Sequence, residues 1–360
     1  MQTDAIPMTK SISNLMLPES HTPLPLNSST TDVSRQLSRI QSNVTWEENF
    51  YETTRLITGL YLFPVFCVAG IIGNMLAFIV FVRAKQKSST NIYLTTLALS
   101  DTFKLLCDFL YFITVLLEYI GKSDASDTVF GTLYPYAHYI LNFSVCNTAW
   151  LTVSVAIERY IYMKWPERAV TMCTITRAKI TCCVVWLSSM LIAVPFVLRY
   201  QKTTENFNGT LSVTDLWSDK NFTTPFVLFQ NIIRSLVPLM VLVIVNGWII
   251  KELWKMSRRG YRRPLDCKNR VTIMLVAIII AFLVCVTPDA IISLKNFGYA
   301  DATYLVRGIR EITDLLLCLN SAINFFLYFG FNKVFRDNFK QVFCKRPPYE
   351  HVSIKEDGVT

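Results

Sequence analysis

The side chains able to do chemistry in this 360-residue chain are charges set inside apolar stretches. Glu158-Arg159-Tyr160 closes a run long enough to cross a bilayer, with Trp165-Pro166 just beyond. Asp101, Lys104 and Asp108 share a helical face in an earlier run, at spacings of three and four residues. Arg307, Arg310, Glu311 and Asp314 make one stripe in a later run, at i, i+3, i+4 and i+7. Glu118 tops the second run, Arg234 lies one turn outside Pro238, and Asp289 follows Pro288. Charges placed in this way are costly in hydrocarbon and must face a bundle interior or a watery cavity. Their chemistry is ion pairing, switching and recognition of a polar molecule. Bond-making chemistry has no comparable support: the only histidines are His21, His138 and His351, and there is no His-Glu-x-x-His helix or GxSxG turn.

The elements that position these charges follow from hydropathy. Only 17% of residues are charged, against about a quarter in soluble domains, and 52% are hydrophobic, so apolar residues can gather into spanning runs. Seven such runs centre on residues 57–82, 92–119, 130–163, 177–199, 225–250, 270–294 and 303–329. About 20 apolar residues cross a bilayer as a helix, and backbone groups in lipid must be paired within the segment. The net charge of +9 is not laid out as a nucleic-acid surface; it collects in alternate connections. These are Arg83, Lys85 and Lys87; Lys164, Arg168, Arg177 and Lys179; the cluster from Lys251 to Arg270; and Lys333 to Arg346. Basic connections face the cytoplasm, which predicts an outside N-terminus and an inside C-terminus.

Residues 1–55 are rich in Ser, Thr, Asn and Pro and read as a disordered outer tail. No apolar h-region follows Met1, so the first spanning helix is expected to act as the insertion signal. Asn27, Asn43, Asn208 and Asn221 open glycosylation sequons on the predicted outer side, whereas Asn142 opens one inside the third run. None of the ten cysteines falls in an outer segment, so no extracellular disulfide is expected. After the spanning region 56–330, residues 331–344 place Phe331, Phe335, Phe339, Val342 and Phe343 on one face, suiting a helix on the inner membrane surface. Cys344 follows as a palmitoylation candidate, and 345–360 form a cytoplasmic tail.

Seven helices, an outside N-terminus and Glu158-Arg159-Tyr160 together resemble the rhodopsin-like class of G-protein-coupled receptors. Further landmarks fall in order: Gly73-Asn74, Leu97-Ala-Leu-Ser-Asp101, Trp186, Pro238, Pro288 and Asn320-Ser-Ala-Ile-Asn324-Phe-Phe-Leu-Tyr328. The fold so implied is an all-α seven-transmembrane bundle with a short amphipathic helix on the inner surface. The chain departs from the class in four places. Tyr134 stands where a Cys usually ends helix three; Val286 replaces the helix-six Trp; Phe325 replaces the Pro after the helix-seven Asn; Asn246 replaces a Tyr in helix five. Asn324-Phe-Phe-Leu-Tyr328 and the Cys-free outer loop resemble the branch holding FMRFamide, myosuppressin and sex-peptide (myoinhibitory-peptide) receptors and related vertebrate orphan receptors.

The resemblance implies a plasma-membrane receptor that needs no cofactor and activates heterotrimeric G proteins when an outer ligand favours outward movement of helix six. Arg159, released from Glu158, is expected to contact the G protein and the Tyr328 region, with Tyr160, Asn246, Pro288 and Asn324 as further switch positions. Asp101 and Asn324, with Asn74 and Asn320, belong to a polar network that holds water and often sodium in the class. Lys104 can either neutralise Asp101 or join an Asp101-Lys104-Asp108 network without an ion. Phe282 is the candidate relay in place of the missing Trp. Glu118, Tyr136, His138, Tyr139, Asn142, Arg234, Asp289, Arg310, Glu311 and Asp314 read as lining a wide outer pocket for a short charged peptide, with Glu311 or Asp314 facing a ligand cation. Leu141 at the amine-anchoring position argues against a monoamine, and the lack of Lys in helix seven against retinal. A small amino-acid-like ligand is the alternative within the class. A transporter would explain the intramembrane charges but neither Glu158-Arg159-Tyr160 nor the Asn324–Tyr328 segment.

Overall fold

The computed structural model describes residues 46–84, 88–202, 211–258, 265–295 and 303–343. Seven long helices cross it, followed by a short one. They are α1 (Trp46–Arg83), α2 (Ser89–Tyr119), α3 (Ser123–Lys164), α4 (Ile175–Val197), α5 (Lys220–Asn231 continued by Val237–Arg258), α6 (Leu265–Lys295), α7 (Tyr304–Phe331) and α8 (Lys333–Phe343). Six of the seven are long and apolar enough to cross a membrane. The remaining one, α2, has 31 residues but carries Asp101, Lys104, Asp108 and Glu118. Its polar side chains are hidden inside the bundle, where Asp101, Lys104 and Asp108 are all buried. Side-chain caps mark the helix starts: Ser88, Thr174, Asp219 and Thr303 each accept a bond from a backbone N–H of the first turn.

The chain folds as a ring around α3, which packs on α2, α4, α5 and α6, while α7 closes the ring against α1, α2 and α6. The α1–α7 approach depends on glycine. A Cβ at Gly70 would sit 2.7 Å from the Ala322 Cβ, and one at Gly73 would sit 2.8 Å from that of Phe325. Phe325, the residue that replaces the expected Pro, packs its ring on Phe329, Phe335 and Phe339, joining α7 to α8. Asn332 breaks the chain between them: its side chain accepts from the Phe335 N–H, and Arg336 Nη1 donates to the Phe329 and Gly330 carbonyls that α7 leaves open.

One feature differs from the sequence expectations, and two others add to them. The first helix starts at Trp46, so residues 46–55 are not tail; Phe50 packs against Gly308, Tyr51 meets the Tyr304 ring, and Arg55 is buried. The connection between α4 and α5 also contains a short hairpin within the all-α bundle, β1 (Tyr200–Lys202) paired antiparallel with β2 (Leu211–Val213) in the register Tyr200↔Val213. Tyr134, at the position of the missing Cys, stacks on Phe130 at 4.2 Å and meets Tyr200 of β1 edge-on at 5.4 Å. An aromatic contact thus joins α3 to the outer loop. Asn221 is exposed at the start of α5; Asn27, Asn43, Asn208 and Cys344 lie outside the described residues.

Candidate functional site

At the inner end, Glu158 is buried and accepts bonds from Ser89 Oγ (3.0 Å) and Thr90 Oγ1 (2.8 Å) at the start of α2. Arg159 lies 3.8 Å from the same Glu158 oxygen, donates to Thr90 Oγ1, and lies over the Tyr162 ring. The expected Glu158–Arg159 pair is therefore part of a four-residue cluster with Ser89 and Thr90 between α2 and α3. Ser89 and Thr90 were not anticipated; hydroxyls at a helix start carry no signal in sequence beyond capping. Tyr160 points away from this cluster, packing on Trp165 and on Trp248 of α5.

In the middle of the bundle, Asp101 is fully buried and accepts three bonds: from Thr148 Oγ1 of α3 (3.0 Å) and from Ser321 Oγ (3.0 Å) and Asn324 Nδ2 (2.7 Å) of α7. Asn74 Nδ2 donates to the Ser321 carbonyl at 2.9 Å, and Asn320 is buried on the face of α7 that carries Asn324. One carboxylate, two hydroxyls and nearby carboxamides form an all-oxygen donor set that fits a hard monovalent cation such as sodium. Lys104 does not bond Asp101. Its Nζ holds Asp108 Oδ2 at 2.5 Å, one turn farther out. Tyr328 is completely buried against Phe81 and Phe335, and its hydroxyl has no hydrogen-bond partner among the described residues; the same holds for both side-chain polar atoms of Asn246.

The outer half divides into two clusters. Between α3, α5 and α6, Arg234 Nη2 pairs with Asp289 Oδ2 at 2.8 Å, and Arg234 Nη1 and Gln230 Nε2 donate to Asn142 Oδ1 at 3.4 and 3.2 Å. Arg234 sits in a π-helical turn of α5 (Ile232–Leu236), which the Trp150 indole of α3 supports by donating to the Ile233 carbonyl. Pro288 lies within α6 beside Asp289, above buried Phe282 and Val286; these two pack in the core with Val153, Leu242 and Leu317. Between α1, α2 and α7, Arg55 Nη2 pairs with Glu118 at 2.5 Å, and the Tyr111 hydroxyl donates to Glu311 at 2.8 Å. Arg55 and Tyr111 were missed in the sequence. The polar flank of Arg55 made it look like tail, and a Tyr in an apolar run is unremarkable.

Asp314 differs from its neighbours. It has no hydrogen bond or ion pair among the described residues and is exposed, yet the charges of Asp289, Glu311, Lys104 and Asp108 all act on it. An acid surrounded from α2, α6 and α7 that remains open to solvent lines a crevice between those helices. Arg310 is half-buried on the same helix. Two expected pocket residues face elsewhere. Tyr139 directs its hydroxyl to the Met190 carbonyl of α4 at 3.5 Å, and Tyr136 is 62% exposed on the outer surface. Tyr136 lies about 120° round the helix from Asn142, off its face, whereas Tyr139 lies about 60° away and is turned toward α4 by its bond to Met190. His138 stacks on Tyr134, with Phe196 edge-on at 5.0 Å, under the hairpin.

Comparison with known proteins agrees with this architecture. The family described as 7 transmembrane receptor (rhodopsin family) matches residues 73–328. The chain is 24% identical over 294 residues to somatostatin receptor type 1 of Rattus norvegicus, covering 79% of this chain and 71% of the relative. It is 26% identical to galanin receptor 2a of Danio rerio (78% and 77% covered) and 26% identical to the neuropeptide S receptor of Mus musculus (77% and 76% covered). With the family match running from Gly73 in α1 to Tyr328 in α7, the chain belongs to the rhodopsin family of seven-transmembrane receptors and is a signalling receptor rather than an enzyme.

Proposed function

We propose that this receptor sits in the plasma membrane with its N-terminus outside and binds a short neuropeptide carrying a cationic group in its outer crevice. Arg55–Glu118, Lys104–Asp108 and Arg234–Asp289 already match three acids with three bases, and Tyr111 serves Glu311. The observation that carries the reading is Asp314, an acid exposed and without an ion-pair partner among the described residues. An arginine or terminal amine would supply the missing charge. Relatives named for somatostatin, galanin and neuropeptide S support a peptide, and the Cys-free loop supports the FMRFamide-like branch.

On the inner side, ligand binding would favour a conformation in which α6 swings outward, with Phe282 relaying the pocket change to α3 and α5. Arg159 would leave Thr90 and Glu158 to meet the G protein, and Tyr328 would find a partner for its hydroxyl. Glycosylation at Asn27, Asn43, Asn208 and Asn221, and palmitoylation at Cys344, belong to the same proposed topology.

The test is a screen of amidated peptides, read out through calcium and cAMP, followed by the Asp314→Asn variant at matched surface expression. Loss of a charge-assisted bond of about 1.5–3 kcal/mol predicts roughly a ten- to hundredfold fall in potency for cationic peptides. Equal potency of the most active cationic peptide on both receptors would overturn the cation anchor.

A further inference from the structure

Beneath the crevice, three side chains from three helices converge: Cys67 of α1, Asp108 of α2 and Cys318 of α7. Their ligand atoms all lie within 4.8 Å of one another, and all three residues are buried. The two sulfurs are 3.8 Å apart. We propose that they form a binding site for one thiophilic divalent metal ion, zinc by its chemistry, that clamps α1, α2 and α7 together. This inference is independent of the peptide reading.

Four observations support it. Zinc–sulfur bonds of about 2.3 Å at a tetrahedral angle place two sulfurs about 3.8 Å apart, which is the separation found. The carboxylate completes three protein ligands, and a side-chain shift of about 1 Å brings it to bonding distance. Charge also balances. Metal binding releases a proton from each thiol, and two thiolates, one carboxylate, the Lys104 ammonium held on Asp108 at 2.5 Å and a divalent ion then sum to zero. A neutral assembly is what a dry interior tolerates. Finally, a solvent-exposed acid stands close by: Asp314 lies one turn before Cys318 on α7 and is within electrostatic reach of Asp108 and Lys104. With three protein ligands the fourth coordination position is left for water or for a donor group of an outer ligand.

Disulfide formation is the competing chemistry. It would need the sulfurs to close from 3.8 Å to about 2.05 Å and an oxidant to take up two electrons. The experiment uses the full chain in lipid nanodiscs, reduced with a phosphine, and titrated with cadmium as a spectroscopic stand-in for zinc. The expected result is one equivalent taken up, with a cadmium–thiolate ultraviolet band that weakens as pH falls. Asp108→Asn should weaken uptake tenfold or more, and Cys67→Ser with Cys318→Ser should abolish it. Should the double variant fold poorly, zinc protection of Cys67 and Cys318 from alkylation in the wild-type chain, with half-buried Cys173 outside the spanning helices as the labelled control, gives the same answer. No saturable uptake, uptake retained by a folded double variant, absence of zinc protection, or recovery of a Cys67–Cys318 disulfide from reduced protein would each overturn the proposal.

Discussion

In the Glu158–Arg159 cluster, one hydroxyl touches both charges. Thr90 Oγ1 donates to Glu158 at 2.8 Å and also accepts from Arg159, so acid and base are both tied to α2. The charged triplet itself was plain in the sequence, because an acid–base pair at the end of an apolar run is rare. Its anchors were not, because Ser89 and Thr90 lie 69 and 68 residues from Glu158 and are chemically ordinary. Lys104 shows the same limit: spacing placed both Asp101 and Asp108 within its reach, and only packing selected Asp108. Replacing Glu158 with Gln removes the charge that holds Arg159 while keeping the shape. If the network loses about 1.4 kcal/mol, the resting equilibrium shifts about tenfold. Ligand-independent nucleotide exchange should rise by about that factor, and Thr90→Val should raise it in the same direction. Unchanged basal exchange in both variants would mean the cluster is structural only.

At the scale of elements, the spanning helices were legible because their runs match the bilayer, including α2, whose charges the bundle conceals. Two features could not be read. The stretch 46–55 is polar along most of its length and becomes helix through contacts with α7 and α2 that no local pattern encodes. The β1–β2 hairpin is three residues per strand, too short for alternation to show. That hairpin has a mechanical consequence. Receptors of this class usually tie the outer loop to helix three by a disulfide, worth about 2–4 kcal/mol, whereas this chain uses Tyr134 on Tyr200 at 5.4 Å, a contact worth about 0.5–1.5 kcal/mol. The loop should therefore be more loosely held, and its attachment should not respond to reductant. Alanine at Tyr134, at Tyr200 and at both should give a double-mutant coupling near 1 kcal/mol in unfolding free energy. Agonist affinity in the wild type should be the same with and without a thiol reductant; a loss of binding on reduction would contradict the aromatic tether.

For the whole molecule, one buried cluster reaches from Val286, two residues from Pro288, to Ala156, one turn before Arg159. Arg234–Asp289 lies beside Pro288; Phe282 and Val286 lie below it with α3, α5 and α7 residues in one buried cluster. Toward the inner side, the Asp101 network holds α2, α3 and α7, and Arg159 is latched to α2 at the end. Continuity alone does not show coupling; a two-state element biased from both sides does. The proposed element is α6, and its coupling must be reciprocal by thermodynamic necessity. If adding G protein to receptor in nanodiscs tightens agonist binding by some factor, typically about 5- to 150-fold, agonist must tighten G-protein binding by the same factor. Arg159→Ala should bring both factors to one while leaving agonist affinity in the uncoupled receptor unchanged, because Arg159 lies at the end of α3 opposite Asn142 and the pocket. Two calorimetric or fluorescence titrations, each repeated with the partner present, measure all four affinities. A variant that lost coupling and agonist affinity together would show that Arg159 holds the bundle's shape, and a variant that kept its coupling would show that the inner switch lies elsewhere.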